Sequence, residues 1–392
     1  MLLALGAAAA QTEQAEAAGE ADAPPVVGNI FQPEHVEFEE ALLDNLQLPP
    51  GFEIGVFAQG LDNPRKLAVA EDGTVYVTQR DTGNVLALRD SDGDWRADEI
   101  VVVAEGIDNL NGIMIREDRV YLGPPRQILV AERLEGGMLL GEPEVFIDDL
   151  PDGGQHPNRT FAMGPDGMFY LSIGSSCNSC DESNPEHATM LRFEADGSGR
   201  SIYAEGLRNT VGFDWHPETA ALWGLDMGSD WRGDDDPPEE FNLIAEGNHY
   251  GWPFCFADRQ VDPYLPAEPE DMSREEFCAT TEPPALTYQA HASPLDMLFY
   301  SGEQFPEDYR GDAIVTLRGS WNRFPAVGYK LVRIRFEDGQ PVAFEDFITG
   351  FLIDEGRAQF GRPVGLVMAN DGSVLFADDT GGVIYRLSYK GE

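Results

Sequence analysis

Apolar and polar positions alternate in short bursts along this chain, each burst broken by a polar hairpin and followed by a second apolar run. The pattern appears as LDNPRKLAVAEDGTVYVTQ from Leu61, LNGIMIREDRVYLG from Leu110 and NRTFAMGPDGMFYLSIG from Asn158. It returns as LRNTVGFDWHPETAALWGLD from Leu207, HASPLDMLFYSGEQFPEDYRGDAIVTLRG from His291 and GRPVGLVMANDGSVLFADD from Gly361. Asp-Gly pairs suit tight hairpins, and the flanking Val, Leu, Tyr and Phe suit buried strands. A unit this short cannot cover both faces of its own sheet, so the six copies are expected to pack radially, each against the next. The prediction is an all-β chain folded as a six-bladed β-propeller with elaborated loops on one face.

Spacing between copies is uneven. The second-strand aromatics Tyr76, Tyr121, Tyr170 and Trp223 are 45, 49 and 53 residues apart, but about 90 residues separate Trp223 from the next unit. Residues 228–290 in that gap are polar and proline-rich, which predicts a long loop insertion, and long connections on a rigid scaffold are where ligand contacts gather. Residues 1–25 predict an apolar remnant of a secretory signal followed by a disordered acidic leader, and residues 26–392 the propeller itself.

Charge narrows the partners. The 392 residues carry 70 acids against 26 bases, a formal −44, and the only lysines are Lys66, Lys330 and Lys390. That field repels nucleic acid and anionic membrane, and an acidic surface nearly free of lysine suits a saline host. No apolar run approaches the length of a membrane span. The leader predicts a periplasmic or secreted protein. In that setting Cys177 with Cys180, and Cys255 with Cys278, read as two disulfides, with one zinc site formed by all four as the competing reading.

Few residues here offer chemistry. His156, in GQHPNR, leads into the innermost strand of a repeat, where several units can aim groups at one ligand; an imidazole there can serve as a general base or simply satisfy a buried backbone group. Arg208 and Asn209 in EGLRNTVG lead into the next repeat. Arg362 holds the same phase in the last, and Arg318 and Arg323 flank the fifth in LRGSWNRFP. Guanidiniums at ligand-facing phases of so acidic a chain point to an anionic guest. DWRGDDDPPEEFN, from Asp230, groups carboxylates that can hold calcium or can merely be solvated, and DSDGDWRADE, from Asp90, resembles an incomplete calcium loop. The aromatic cluster NHYGWPF, with His249, Tyr250 and Trp252, can pack internally or wall a flat ligand.

These stretches resemble the soluble quinoprotein sugar dehydrogenases of the glucose/sorbosone dehydrogenase superfamily, and within it the sorbosone branch, over about residues 45–390. The resemblance implies a propeller holding pyrroloquinoline quinone and calcium, which oxidises a sugar hydroxyl or aldehyde hydrate by hydride transfer to the quinone. It places His156 on the proton-accepting base and Arg208 with Asn209 on the cofactor's reactive carbonyl. Arg323, Arg362 and Arg318 fall on partners of the cofactor carboxylates. Trp231, Arg232, Asp234 and Glu240 fall near the calcium ligands. Asn111 and Gln155 complete the cofactor-binding set, with two departures: Leu110 replaces a glutamine of the glucose-oxidising branch, and Gln155 an aspartate. Both argue against glucose itself as substrate. The resemblance further implies a small sugar substrate and an external electron acceptor, a cytochrome or a quinone, for a protein expected to be monomeric. A carbohydrate-binding propeller without enzymatic activity and a calcium-dependent lactonase are the competing functions.

Overall fold

The computed structural model describes residues 25–134, 136–265 and 267–391. The expected leader, residues 1–25, falls outside them except for its last residue. Six four-stranded antiparallel sheets account for most of the chain. The first holds Pro64–Val69, Val75–Gln79, Asn84–Arg89 and Glu99–Ala104 in that order. The second and third repeat the arrangement from Gly112–Arg116 to Glu144–Ile147 and from Arg159–Met163 to Ser201–Glu205. The fifth runs from Pro294–Phe299 to Gln340–Ile348. The sixth takes Pro363–Met368, Val374–Asp378 and Val383–Tyr389 from the end of the chain and completes itself with Phe52–Ala58 from near its start.

No sheet among the described residues closes on itself. The first strands of successive sheets touch one another in a complete circuit, the sixth meeting the first. Close approach at that centre needs a missing side chain: a Cβ on Gly112 would collide with the carbonyl of Arg159 in the neighbouring sheet. The aromatics that marked the repeats, Tyr76, Tyr121, Tyr170 and Trp223, are all buried between sheets. Their burial supplies the cohesion that a single hairpin lacks.

Residues 228–290 are not all loop. Glu239–Ile244 forms the third strand of the fourth sheet and Leu286–Tyr288 its fourth, so the true insertion lies between those two strands. EEFNLI conceals a strand because its two glutamates are buried and bonded rather than solvated. The insertion carries a two-stranded hairpin, Cys255–Phe256 with Gln260–Val261, and the short helix Arg274–Cys278, which opens with a capping box from Ser273 and Glu276. Both expected disulfides form, Cys177–Cys180 with a Cα separation of 6.2 Å and Cys255–Cys278 with 5.8 Å. All four cysteines are thereby consumed, and the zinc reading falls.

Candidate functional site

The residues that lead into the first strands gather at one end of the sheets, and two buried carboxylates hold them there. Asp226, at the end of the second strand of the fourth sheet, accepts the backbone N–H groups of Arg208 at 2.9 Å and Asn209 at 2.7 Å. Asp378 has the same place in the sixth sheet and accepts the N–H of Arg362 at 2.8 Å. Burial pushes both acids up to about 6. The repeat therefore carries an aspartate that aims the arginine of its own sheet, a pairing present in LRNTVG…GLD and GRPVG…FAD but not recognised from pattern alone.

His156 is mostly buried beside this group. Its Nδ1 stands 3.0 Å from the carbonyl of Ser175 and 2.9 Å from that residue's hydroxyl, which itself donates to the Cys177 carbonyl. Those contacts assign the proton to Nδ1 and leave the lone pair of Nε2 available. Burial first, and then the positive charges of Arg208 and Arg159, pull its pKa down to about 3. Ser175 in turn donates its N–H to the Arg208 carbonyl at 2.8 Å. A Cβ on Gly174 would meet His156 Cβ at 2.5 Å and Asn209 Oδ1 at 2.9 Å, so only glycine lets the histidine and the asparagine lie against the same turn. Gln155 is exposed and bonds through its backbone to Ser176, giving the imidazole no orienting side chain.

Arg208 is held by a residue that the sequence did not flag. Asn178, between the cysteines of the 177–180 disulfide, accepts Arg208 Nε on its carbonyl and Nη2 on its side-chain oxygen, both at 2.9 Å. Its side chain also accepts the Asp230 N–H at 2.7 Å and donates to the Asp230 carbonyl at 3.0 Å. With Met227 O and Asp230 Oδ2 accepting from the guanidinium as well, one N–H on Nη1 is left uncommitted. Asn178→Ala should cost about 2–3 kcal/mol of stability, the range for losing a hydrogen bond to a buried charge. Urea melts of the two proteins check this, and a loss under 0.5 kcal/mol, on the order of one weak neutral hydrogen bond, would show the contacts to be incidental.

On the far side of the mouth, Arg65 donates to Asn111 Oδ1 at 3.3 Å and to the carboxylate of Asp379, which Arg318 Nε also reaches at 2.7 Å. Two guanidiniums thus share one anion. Arg362 bonds only to main-chain oxygens, those of Arg318 at 3.2 Å and Gly319 at 2.9 Å. Burial lowers Arg65 to about 10 and lowers Arg362 as well, with Arg318 adding to the second shift. Asp379 moves the other way: burial pushes it up, but Arg318 and Arg65 outweigh that and hold it below the ordinary carboxylate value. Asn111 Nδ2 is buried without a partner among the described residues. Sequence reasoning missed Arg65 and Asp379. Arg323 points elsewhere, to the Ala290 carbonyl and the exposed Asp235, both at 3.2 Å.

The four fourth-sheet residues do not converge. Trp231 is half exposed and packs edge-on against Trp321 with centroids 5.2 Å apart. Arg232 pairs with Asp262 at 3.0 Å and lies over the Tyr264 ring. Asp234 accepts both Asn29 N–H groups, tying the start of the described chain to this loop. Glu240 is buried and faces a cavity of about 20 Å³ whose lining includes Arg208, Asp226, Gly228, Ser229 and Asp262. Burial, followed by the charge of Asp226, raises Glu240 to about 8; burial raises the adjoining Glu239 to about 7. That volume accommodates one water or one ion. The other acidic loop brings the carboxylates of Asp90, Asp92 and Asp94 within 4.8 Å of one another, at the end of the first sheet opposite Arg65. His249, Tyr250 and Trp252 pack inward: Tyr250 donates to Leu243 O, and Trp252 donates to Asn178 O at 3.4 Å.

Comparison with known proteins gives the chain a family and its fold a set of neighbours. The TrAA12-like family matches residues 46–390. An uncharacterized protein of Borreliella burgdorferi is 27% identical, over 90% of this chain and 93% of its own length. The pyrroloquinoline quinone-dependent pyranose dehydrogenase of Coprinopsis cinerea is 29% identical over 86% of this chain, which spans only 53% of that longer protein. Among solved structures, the holo form of the Coprinopsis cinerea pyranose dehydrogenase PQQ domain superposes with a TM-score of 0.74 at 20% identity, covering 92% of this chain and all of that one. The Trichoderma reesei Carbohydrate-Active Enzymes Family AA12 structure gives 0.76 at 20% identity over 88% of this chain and 97% of that one.

Proposed function

This chain belongs to the TrAA12-like family, and from that premise we propose that it is a quinoprotein oxidoreductase acting on a sugar hydroxyl or aldehyde hydrate, built as a six-bladed β-propeller. The observation that carries the reading is the surplus of guanidinium at the mouth of a chain with a net charge of −44. Arg65 and Arg318 share the single carboxylate of Asp379, and Arg362 has only carbonyls. Pyrroloquinoline quinone carries three carboxylates and matches that surplus; the orphaned Asn111 amide offers one more donor. Calcium matches the small cavity, which Asp226 and Glu240 line while Asp262 is already paired with Arg232; burial keeps Glu240 largely protonated near neutral pH, and a divalent ion would displace that proton to make it a ligand. Of Trp231, Arg232, Asp234 and Glu240, Glu240 is therefore the ligand carried forward.

When bound, the quinone supplies the acceptor for a hydride. The chain's own part is to bind and orient. Nε2 of His156 accepts the proton of the substrate hydroxyl, its ring fixed through Nδ1 by Ser175. Arg208 contributes its uncommitted N–H and a fixed positive charge. Asn209, held by Asp226 on the same turn, sets the other side of the pocket. An external acceptor, a cytochrome or a quinone, takes the electrons onward. Two disulfides suit a periplasmic or secreted protein.

The test is reconstitution with calcium and pyrroloquinoline quinone, followed by dye reduction across aldoses, uronic acids and sorbosone. Calcium alone should raise the melting temperature by the equivalent of about 2.7 kcal/mol at a hundredfold excess over its dissociation constant. Glu240→Gln should remove most of that rise, because it deletes one of the two cavity acids whose side chains are not already paired with an arginine. Failure to bind the quinone, together with no dye reduction on any sugar, overturns the proposal.

A further inference from the structure

Outward from His156, on the same face, the loops of the second and third sheets leave an open groove of about 800 Å³. One wall is Asp108 and Asn109, the other Pro124, Pro125, Arg126 and Gln127, and the groove ends on Gly154 and Pro157, which flank the histidine by one or two residues. The side chains of Asp108, Asn109, Arg126 and Gln127, with Asp148 at the rim, make no hydrogen bond or ion pair to other described residues. These side chains are mostly exposed, and with the orphaned Asn111 amide and the free N–H of Arg208 nearer the mouth they set donors and acceptors along the path to the histidine.

The groove is also fixed relative to the base. Arg159 is fully buried and has no carboxylate partner among the described residues. Its guanidinium donates to the carbonyl of Pro125 at 2.8 Å, those of Pro151, Asp152 and Asn158 at 3.1 Å, and that of His156 at 3.2 Å. One cation therefore ties the proline wall, the loop beneath it and the histidine backbone into a single unit, so a ligand seated in the groove has a set register to the turn that carries His156.

From this geometry we infer that the groove holds further rings of a neutral saccharide whose oxidised end lies at His156, which makes an oligosaccharide or glycan end the preferred substrate class. The inference rests on the sugar-oxidising reading above. Amide and carboxylate side chains bond sugar hydroxyls well, and rigid proline faces give the apolar CH surface of a pyranose something to lie on. Size agrees, since 800 Å³ exceeds what one ring needs and lies at the upper end of ordinary ligand sites. Charge selects neutral chains: Arg126 is outnumbered by Asp108 and Asp148 within a strongly negative protein, which disfavours a polyuronate.

Calorimetry on the full chain without quinone tests binding alone, using glucose, mannose, the neutral trimers cellotriose, maltotriose, laminaritriose and mannotriose, and trigalacturonate as the charged trimer. At least one trimer should bind about tenfold tighter than its monomer, and the double variant Asn109→Ala, Gln127→Ala should erase that difference, as expected for losing one or two hydrogen bonds. The reconstituted protein should show the same preference in kcat/KM. Equal affinity for monomer and trimer in every series, or tightest binding by a trimer of uronic acid, overturns the inference. Length-dependent binding without oxidation of any sugar would uphold the groove and sink the oxidoreductase reading; oxidation of monomers without length dependence would do the reverse.

Discussion

His156→Ala should lower turnover by about 100-fold or more, the usual loss for a general base, while quinone and calcium binding stay close to normal. The imidazole bonds through Nδ1 to Ser175 and to no guanidinium, Arg159 reaching only the main-chain carbonyl, so deleting the ring leaves Arg65, Arg318 and Arg362 as they are. His156→Asn separates the two duties of the ring, because an amide can still donate to Ser175 but cannot accept a proton at the position of Nε2; it should be as inactive as the alanine variant and more stable. Acid titration adds a second readout. With a folded pKa near 3 against the ordinary imidazole value of 6.5, the unfolded chain takes up this proton first. Stability from this site is therefore whole above about pH 6.5 and is lost as pH falls toward 3, and both variants should lose that part of the acid sensitivity. An anion seated over the guanidiniums offsets the field of Arg208 and moves the imidazole back toward neutrality, where it is a better base. Unchanged turnover in a fully loaded His156→Ala protein would remove the residue from the chemistry.

Much of this was legible in the chain because alternation reports burial. The two-strand units from Leu61, Leu110, Asn158, Leu207, His291 and Gly361 all lie within sheets, and the phase that leads into the first strand does bring His156, Arg208 and Arg362 to one end. What stayed hidden depends on distance or on bonding partners. FEIGVFA pairs with Val383–Tyr389 more than 300 residues away, and no local pattern carries that pairing. EEFNLI looks solvated until the backbone N–H groups of Gly228, Ser293 and Ala257 are seen bonding its glutamates. Arg65 follows Pro64 where Arg362 precedes Pro363, so it sits two positions off the phase that flagged the other arginines. Asn178 was passed over because its loop read as a disulfide staple, whereas its contact with Arg208 depends on the path of the main chain between the cysteines.

Asp379→Asn should cost about 3–5 kcal/mol in the quinone-free protein, the range for stranding a buried charge. Among the described residues the carboxylate is almost wholly buried and is the one acidic group that both Arg65 and Arg318 reach, so its neutral replacement strands the buried Arg65 guanidinium beside the partly exposed Arg318. Its pH behaviour has the opposite sign to that of the histidine. With a folded pKa held below 3.8, Asp379 contributes stability above that value and loses it as pH falls through the lowered one, so the asparagine variant should be flatter in acid. A guest bearing carboxylates can take the aspartate's place. Quinone binding should therefore stabilise Asp379→Asn by more than it stabilises the parent, although the variant starts lower, and melting curves with and without quinone measure both terms. If the cofactor raises parent and variant equally, the two arginines are a structural pair closed on Asp379 and the guest's carboxylates lie elsewhere. A larger rise in the variant means that Asp379 and the guest's carboxylates compete for the same two arginines.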